Sequence, residues 1–82
     1  MRDELLEYIN NEVSLDPTIL IGAETDLLLT GLVDSVGVIE IVGWLEDTTE
    51  VEIDPTHVVL DNFQTVDRML ALVERLTPDQ RI

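Results

Sequence analysis

Apolar residues recur near the start of the chain at spacings of three and four: Leu5, Leu6, Ile9 and Val13 fall on one face of a helix over about residues 2–13. Pro17 disfavours helix in the residue before it, so Ser14-Leu15-Asp16-Pro17 closes this element. A connection over about residues 17–34 follows, with Gly22 and Gly31 among many aliphatics. Its apolar content predicts that it lies across the bundle and buries Leu28 and Leu32, with a short helical turn around Leu27 to Leu29. The next apolar stretch predicts a second helix over about residues 35–47, with Ser35 as N-cap. At 100° per residue, Val38, Ile41, Val42 and Leu45 line one side with Ile39 at its edge. Val36, Gly37, Glu40, Gly43, Trp44 and Asp47 gather on the other. Asp54-Pro55-Thr56 suits a helix entry and predicts a short third helix over about residues 55–60, broken by Asp61-Asn62. Thr65 is set to cap a fourth helix over about residues 66–76, whose inward stripe is Val66, Met69, Leu70 and Val73 and which Thr77-Pro78 ends.

The pattern is therefore all-α: a four-helix bundle of three longer helices and one short third helix, with a long loop between the first two. Eighty-two residues make one domain, 1–82, with an ordered core over about 2–76 and a frayed tail over 77–82. Hydrophobic residues make up 45% of the chain and aromatics only 4%, so Leu, Ile and Val must fill the core. A body this small has no room for a buried cleft closed by a second domain, which places function on the surface.

Charge narrows the partners. Eighteen acids against four bases give a formal net charge of -14, and no Lys or Arg lies between Asp3 and Asp67. Such a field disfavours nucleic acid and anionic membrane and speeds encounter with basic protein surfaces. The absence of cysteine excludes a disulfide framework, a thiolate metal site and a protein thiol nucleophile. No stretch has the length and apolarity of a membrane span, and Met1-Arg2-Asp3-Glu4 is unlike a signal peptide. These features predict a cytoplasmic monomer.

Conventional catalysis has little to work with. His57 is the sole histidine and has no Cys or Ser partner identifiable from sequence, so the chain is expected not to be an enzyme. Glu46, Asp47, Glu50, Glu52 and Asp54 lack the ligand alternation and central glycine of a calcium loop, so no metal site is expected. Asp34-Ser35-Val36 is different. It places a hydroxyl at the exposed start of a helix, where free backbone N–H groups and the positive end of the helix dipole can hold a phosphate ester. Taken alone, a serine in this position is most often a simple cap.

Together these features resemble the phosphopantetheine-dependent carrier proteins, the acyl, aminoacyl and peptidyl carriers. The resemblance extends from Leu5 to Leu76. It is carried by Thr25-Asp26-Leu27-Leu28, by Gly31-Leu32-Val33-Asp34-Ser35-Val36, and by Phe63-Gln64-Thr65-Val66. It implies that a phosphopantetheinyl transferase moves 4'-phosphopantetheine from coenzyme A onto the Ser35 hydroxyl, and that acyl or aminoacyl groups then ride on the arm as thioesters. It implies a loading ligase or adenylating enzyme and downstream synthases or transferases as further partners. Among partner-binding positions, Val36 matches an apolar residue that often seats partners and Glu40 a commonly acidic recognition position. Asp34 either orients the transferase and its metal-bound coenzyme or complements the helix dipole. Trp44 departs from the pattern: it is either a docking anchor or packs on the third helix or the long loop.

The aliphatic run after Ser35 looks closer to carriers of specialised pathways (polyketide, nonribosomal peptide or aminoacyl-carrier) than to the fatty-acid type, which remains the alternative. The expected function is thus a freestanding acyl or aminoacyl carrier. A reading of another class is an acidic helical adaptor that binds a basic partner without a prosthetic group.

Overall fold

The computed structural model describes residues 1–77, and all of their regular structure is helical. Helix α1 spans Arg2–Tyr8 and runs into a single π-type stretch, Ile9–Val13, closed by the Ser14 N–H donating to the Ile9 carbonyl at 2.8 Å. Leu5, Ile9 and Val13 are spaced by four and all buried. An α-helix would carry that series steadily around its axis, and the wider turn keeps Ile9 and Val13 facing the core. Leu6, expected on the same face, is half-buried.

Helix α2 spans Ser35–Thr49, two residues beyond the expected end, and stops at Glu50 in a left-handed conformation (φ 58°) with its N–H bonded to the Glu46 carbonyl. Val51 and Ile53 then return to the core. The predicted third helix is displaced. Residues Pro55–His57 form only a 3-10 turn, with Asp54 accepting from the Thr56 N–H at 2.9 Å, and helix α3 is Leu60–Phe63. Asp61-Asn62 therefore lies inside α3 instead of breaking it. Asn62 makes this possible by donating to the His57 carbonyl (2.8 Å) and accepting from Arg75 (2.9 Å), which ties the short helix to both neighbours. Helix α4, Val66–Leu76, begins as expected at Thr65, whose hydroxyl accepts from the Arg68 N–H. Its buried residues are Val66, Met69, Leu72 and Val73; Leu72 takes the place expected for Leu70, which is half-buried. The tail expected to fray lies, beyond Thr77, outside the described residues.

The long loop is fixed by hydrogen bonds more than by helix. Asn10 donates to the Leu6 and Ile21 carbonyls and accepts from the Ile21 N–H. Asp26 accepts from the Leu28 and Leu29 N–H groups through one oxygen and from the Gln64 amide through the other. Backbone bonds join Leu15 to Leu32, Leu27 to Gln64 and Asp67 to Ala23. Leu27, not Leu28, is the fully buried leucine, with Ile21, Leu32 and Val33 beside it. The expected helical turn is a hydrogen-bonded turn from Leu28 to Gly31, and the positive φ of Gly31 (76°) lets the chain reverse into the approach to α2. No helix among the described residues is long and apolar enough to cross a membrane.

Candidate functional site

The site is built at the junction of this loop with α2. Val33, 2% exposed, pins the chain just before the helix. Asp34 follows in extended conformation, and its Oδ1 accepts from the Gly37 N–H at 2.9 Å. Asp34, not Ser35, is therefore the N-cap, a role that aspartate fills as well as serine. The cap holds the Asp34 carboxylate at the helix end. The consequence falls on Ser35. As the first helical residue it is exposed, and its hydroxyl has no protein partner among the described residues. The Val38 N–H makes the first intrahelical bond, to the Asp34 carbonyl, so the N–H groups of Ser35 and Val36 precede the ladder and stay available. Hydroxyl, free donors and dipole end meet in one place. An ester phosphate on Ser35 would sit where the backbone is most electropositive, so these residues fit a phosphate-linked prosthetic group.

Gly37 makes this approach possible. The helical wheel puts it on the solvent side, but it is buried: a Cβ there would stand 2.8 Å from Val33 Cγ1 and 2.9 Å from Val13 Cγ1. The close contact is with the chain's own loop and first helix. Gly43, by contrast, has nothing within 4 Å of a built Cβ.

Around Ser35 the surface is apolar. Val36 is 63% exposed and Ile39 69% exposed, with Glu40 also open to solvent. A cavity of about 700 Å³ opens beside Ser35 between α2 and α3, walled by Leu28, Val38, Ile39, Val59, Leu60 and Phe63. Sequence reasoning missed this wall. Ile39 at the wheel's edge and the aliphatic triplet Val58-Val59-Leu60 were its only signals, and the displaced third helix hid the second. Asp34, Ser35, Val36 and Glu40 are thus all exposed at the start and over the first two turns of α2.

Trp44 does not join them. Its ring stacks on Tyr8 of α1, with centroids 5.6 Å apart and planes at 17°, and it is half-buried. Its stacked ring partner is thus on the first helix, and it also packs against the edge of the core. Burial, and then the nearby Glu40 and Glu12 carboxylates, push the Tyr8 phenol above its ordinary pKa. His57 is partly buried with Nδ1 unpartnered. Among the described residues no cluster of potential metal ligands occurs.

The sequence model of the phosphopantetheine attachment-site family matches residues 3–73. A search of curated proteins finds no match. The family match spans nearly all of the described helices and the serine-bearing junction, and its members hold 4'-phosphopantetheine covalently. The chain therefore belongs to the phosphopantetheine attachment-site family, and is a carrier protein by that membership.

Proposed function

We propose that Ser35 is the attachment residue and that the protein presents acyl intermediates to partner enzymes of a specialised biosynthetic pathway. The observation that carries this reading is the uncommitted Ser35 hydroxyl at the first position of α2, freed from capping because Asp34 caps the helix. The arm, once attached, supplies a terminal thiol on which cargo is held as a thioester. The protein's own part is positional. Asp34 fixes the helix start, the free N–H groups of Ser35 and Val36 complement the phosphate, and Gly37 lets the first turn settle against Val33 and Val13.

The apolar surroundings favour an apolar acyl cargo over a charged aminoacyl one. Of the cavity's lining residues only Asp34 is charged, and its carboxylate is engaged in the cap. Val36 and Ile39 offer a transferase or synthase an apolar seat, with Glu40 as a neighbouring charge. The sparse acids on the first two turns of α2 support a specialised pathway over fatty-acid synthesis. Incubation with coenzyme A and a broad-specificity phosphopantetheinyl transferase tests the reading: wild type gains the mass of one arm and Ser35→Ala none. A folded wild type that gains nothing, or a Ser35→Ala variant that still gains it, contradicts the proposal.

A further inference from the structure

A second hollow lies on the other side of α2. Trp44 follows Ser35 by nine residues, which places it about 14 Å along the helix axis and half a turn around it. There Tyr8 and Trp44, together with Glu4, Glu7, Asn11 and Glu12 of the first helical stretch, enclose about 360 Å³ of open space. Carboxylates alone would be a solvated helix face, of which this chain has several. The aromatic pair sets the place apart: two stacked, half-buried rings form one wall, and Trp44 is the sole tryptophan. Among the described residues no arginine lines the hollow, and the amino terminus at Glu4 is the one cation at its rim. Arg2 is 3.1 Å from Asp67, Arg68 is 3.5 Å from Asp61, and Arg75 donates to Asn62. Glu4 meets the amino terminus at 3.1 Å, while Glu7 and Glu12 have no cationic partner among the described residues.

We propose that this acid-rimmed aromatic hollow binds a guanidinium group, the arginine side chain of a basic partner segment, on the side of α2 away from Ser35. A planar guanidinium stacks on aromatic rings and donates a fixed fork of N–H groups to carboxylates, a combination that an ammonium does not offer. The volume suits one long side chain. Because Trp44 lies half a turn around α2 from Ser35, a segment bound in the hollow leaves the serine hydroxyl open, although the hollow borders Glu40, whose carboxylate lies near Tyr8.

The full-length protein is titrated with an acetylated, amidated peptide of alternating arginine and glycine, and with its citrulline counterpart, which keeps the shape and loses the charge. Heteronuclear NMR follows the Trp44 indole N–H, and calorimetry gives the affinity. The expected result is a saturable shift centred on Tyr8 and Trp44 with the arginine peptide and none with the citrulline peptide. Trp44→Leu should weaken binding about fivefold, the size of one exposed cation–π contact. The double variant Glu7→Gln, Glu12→Gln keeps the stack and should weaken binding more than Glu24→Gln, Glu52→Gln, which removes the same charge elsewhere. Equal losses in the two double variants, or shifts spread over the acidic surface without a maximum at Trp44, would overturn the proposal and reduce the effect to net charge.

Discussion

The two glycines of α2 meet opposite surroundings, and replacing each by alanine should move stability in opposite directions. Alanine is better than glycine in a helix interior by about 1 kcal/mol at either position. At Gly43 a Cβ finds nothing within 4 Å, so that gain is kept. At Gly37 the same atom would lie 2.8 Å from Val33 Cγ1 and 2.9 Å from Val13 Cγ1. Both valines are buried and stiff at χ1, so the backbone must yield, at the overpacking cost of about 1–3 kcal/mol. Gly37→Ala should therefore be destabilising by about 1 kcal/mol net, within a range of roughly 0–2. In a domain of this size each kcal/mol moves Tm by about 4–8 °C, so the two variants should fall on either side of wild type by a readily measured margin. Thermal and urea denaturation followed by circular dichroism provide the assay, with unchanged m-values showing that only stability has moved. Equal stabilisation by the two alanines would refute the packing of α2 on Val13 and Val33, and with it the account of how Ser35 is positioned.

Other expectations concern the same junction and the loop that feeds it. Asp34→Ala should cost about 1 kcal/mol through loss of the cap, and Asp34→Asn should keep most of it; equal losses in urea unfolding would mean that the Gly37 N–H bond is not what matters. Val36→Asp alters an exposed site and should leave stability within about 0.5 kcal/mol of wild type. The same variant should slow Ser35 modification by roughly tenfold, the scale of one modest interface hot spot, and an unchanged rate would remove Val36 from the docking surface. The Gln64 amide, followed by the Leu29 N–H, holds the Asp26 carboxyl below its ordinary pKa. A depressed carboxyl stabilises the fold above its unfolded value and loses that contribution as pH falls through its folded value. The stability difference between wild type and Asp26→Asn should therefore be full near neutrality and shrink below about pH 4, and a difference independent of pH would contradict the assignment.

Much of this was legible in the pattern of apolar residues, and the failures share a cause. Periodicity located α1, α2 and α4, and Thr65 announced its own cap, because these features depend on residues close in sequence. On α4, Leu70 and Leu72 flank the central stripe at nearly equal angles, so only the neighbouring elements decide which flank is covered. On α2, adjacent Asp34 and Ser35 are both good caps, and the choice between them turns on the path by which buried Val33 delivers the chain. The third helix moved because Asn62, a residue that usually ends helices, bonds to His57 and Arg75, the latter thirteen residues away. Gly37 was misplaced by a wheel that treats one face as solvent, when the first helical stretch and the loop cover part of it, and Tyr8 of α1 stacks on Trp44 of the same face. Of the proposed site, Ser35, Asp34, Val36 and Glu40 were singled out from sequence, whereas the apolar cavity beside Ser35 exists only once α3 has its true position.

The most direct measurement is to locate the modification within the chain. Trypsin is unsuitable, since no Lys or Arg lies between Asp3 and Asp67. Cleavage at acidic residues, followed by fragmentation of the transferase-treated protein, should place a single phosphodiester-linked arm on Ser35 in the fragment that also holds Val36 and Gly37. An arm found on Ser14, or on any threonine, would contradict the claim that the helix start at Asp34 prepares this hydroxyl for its role.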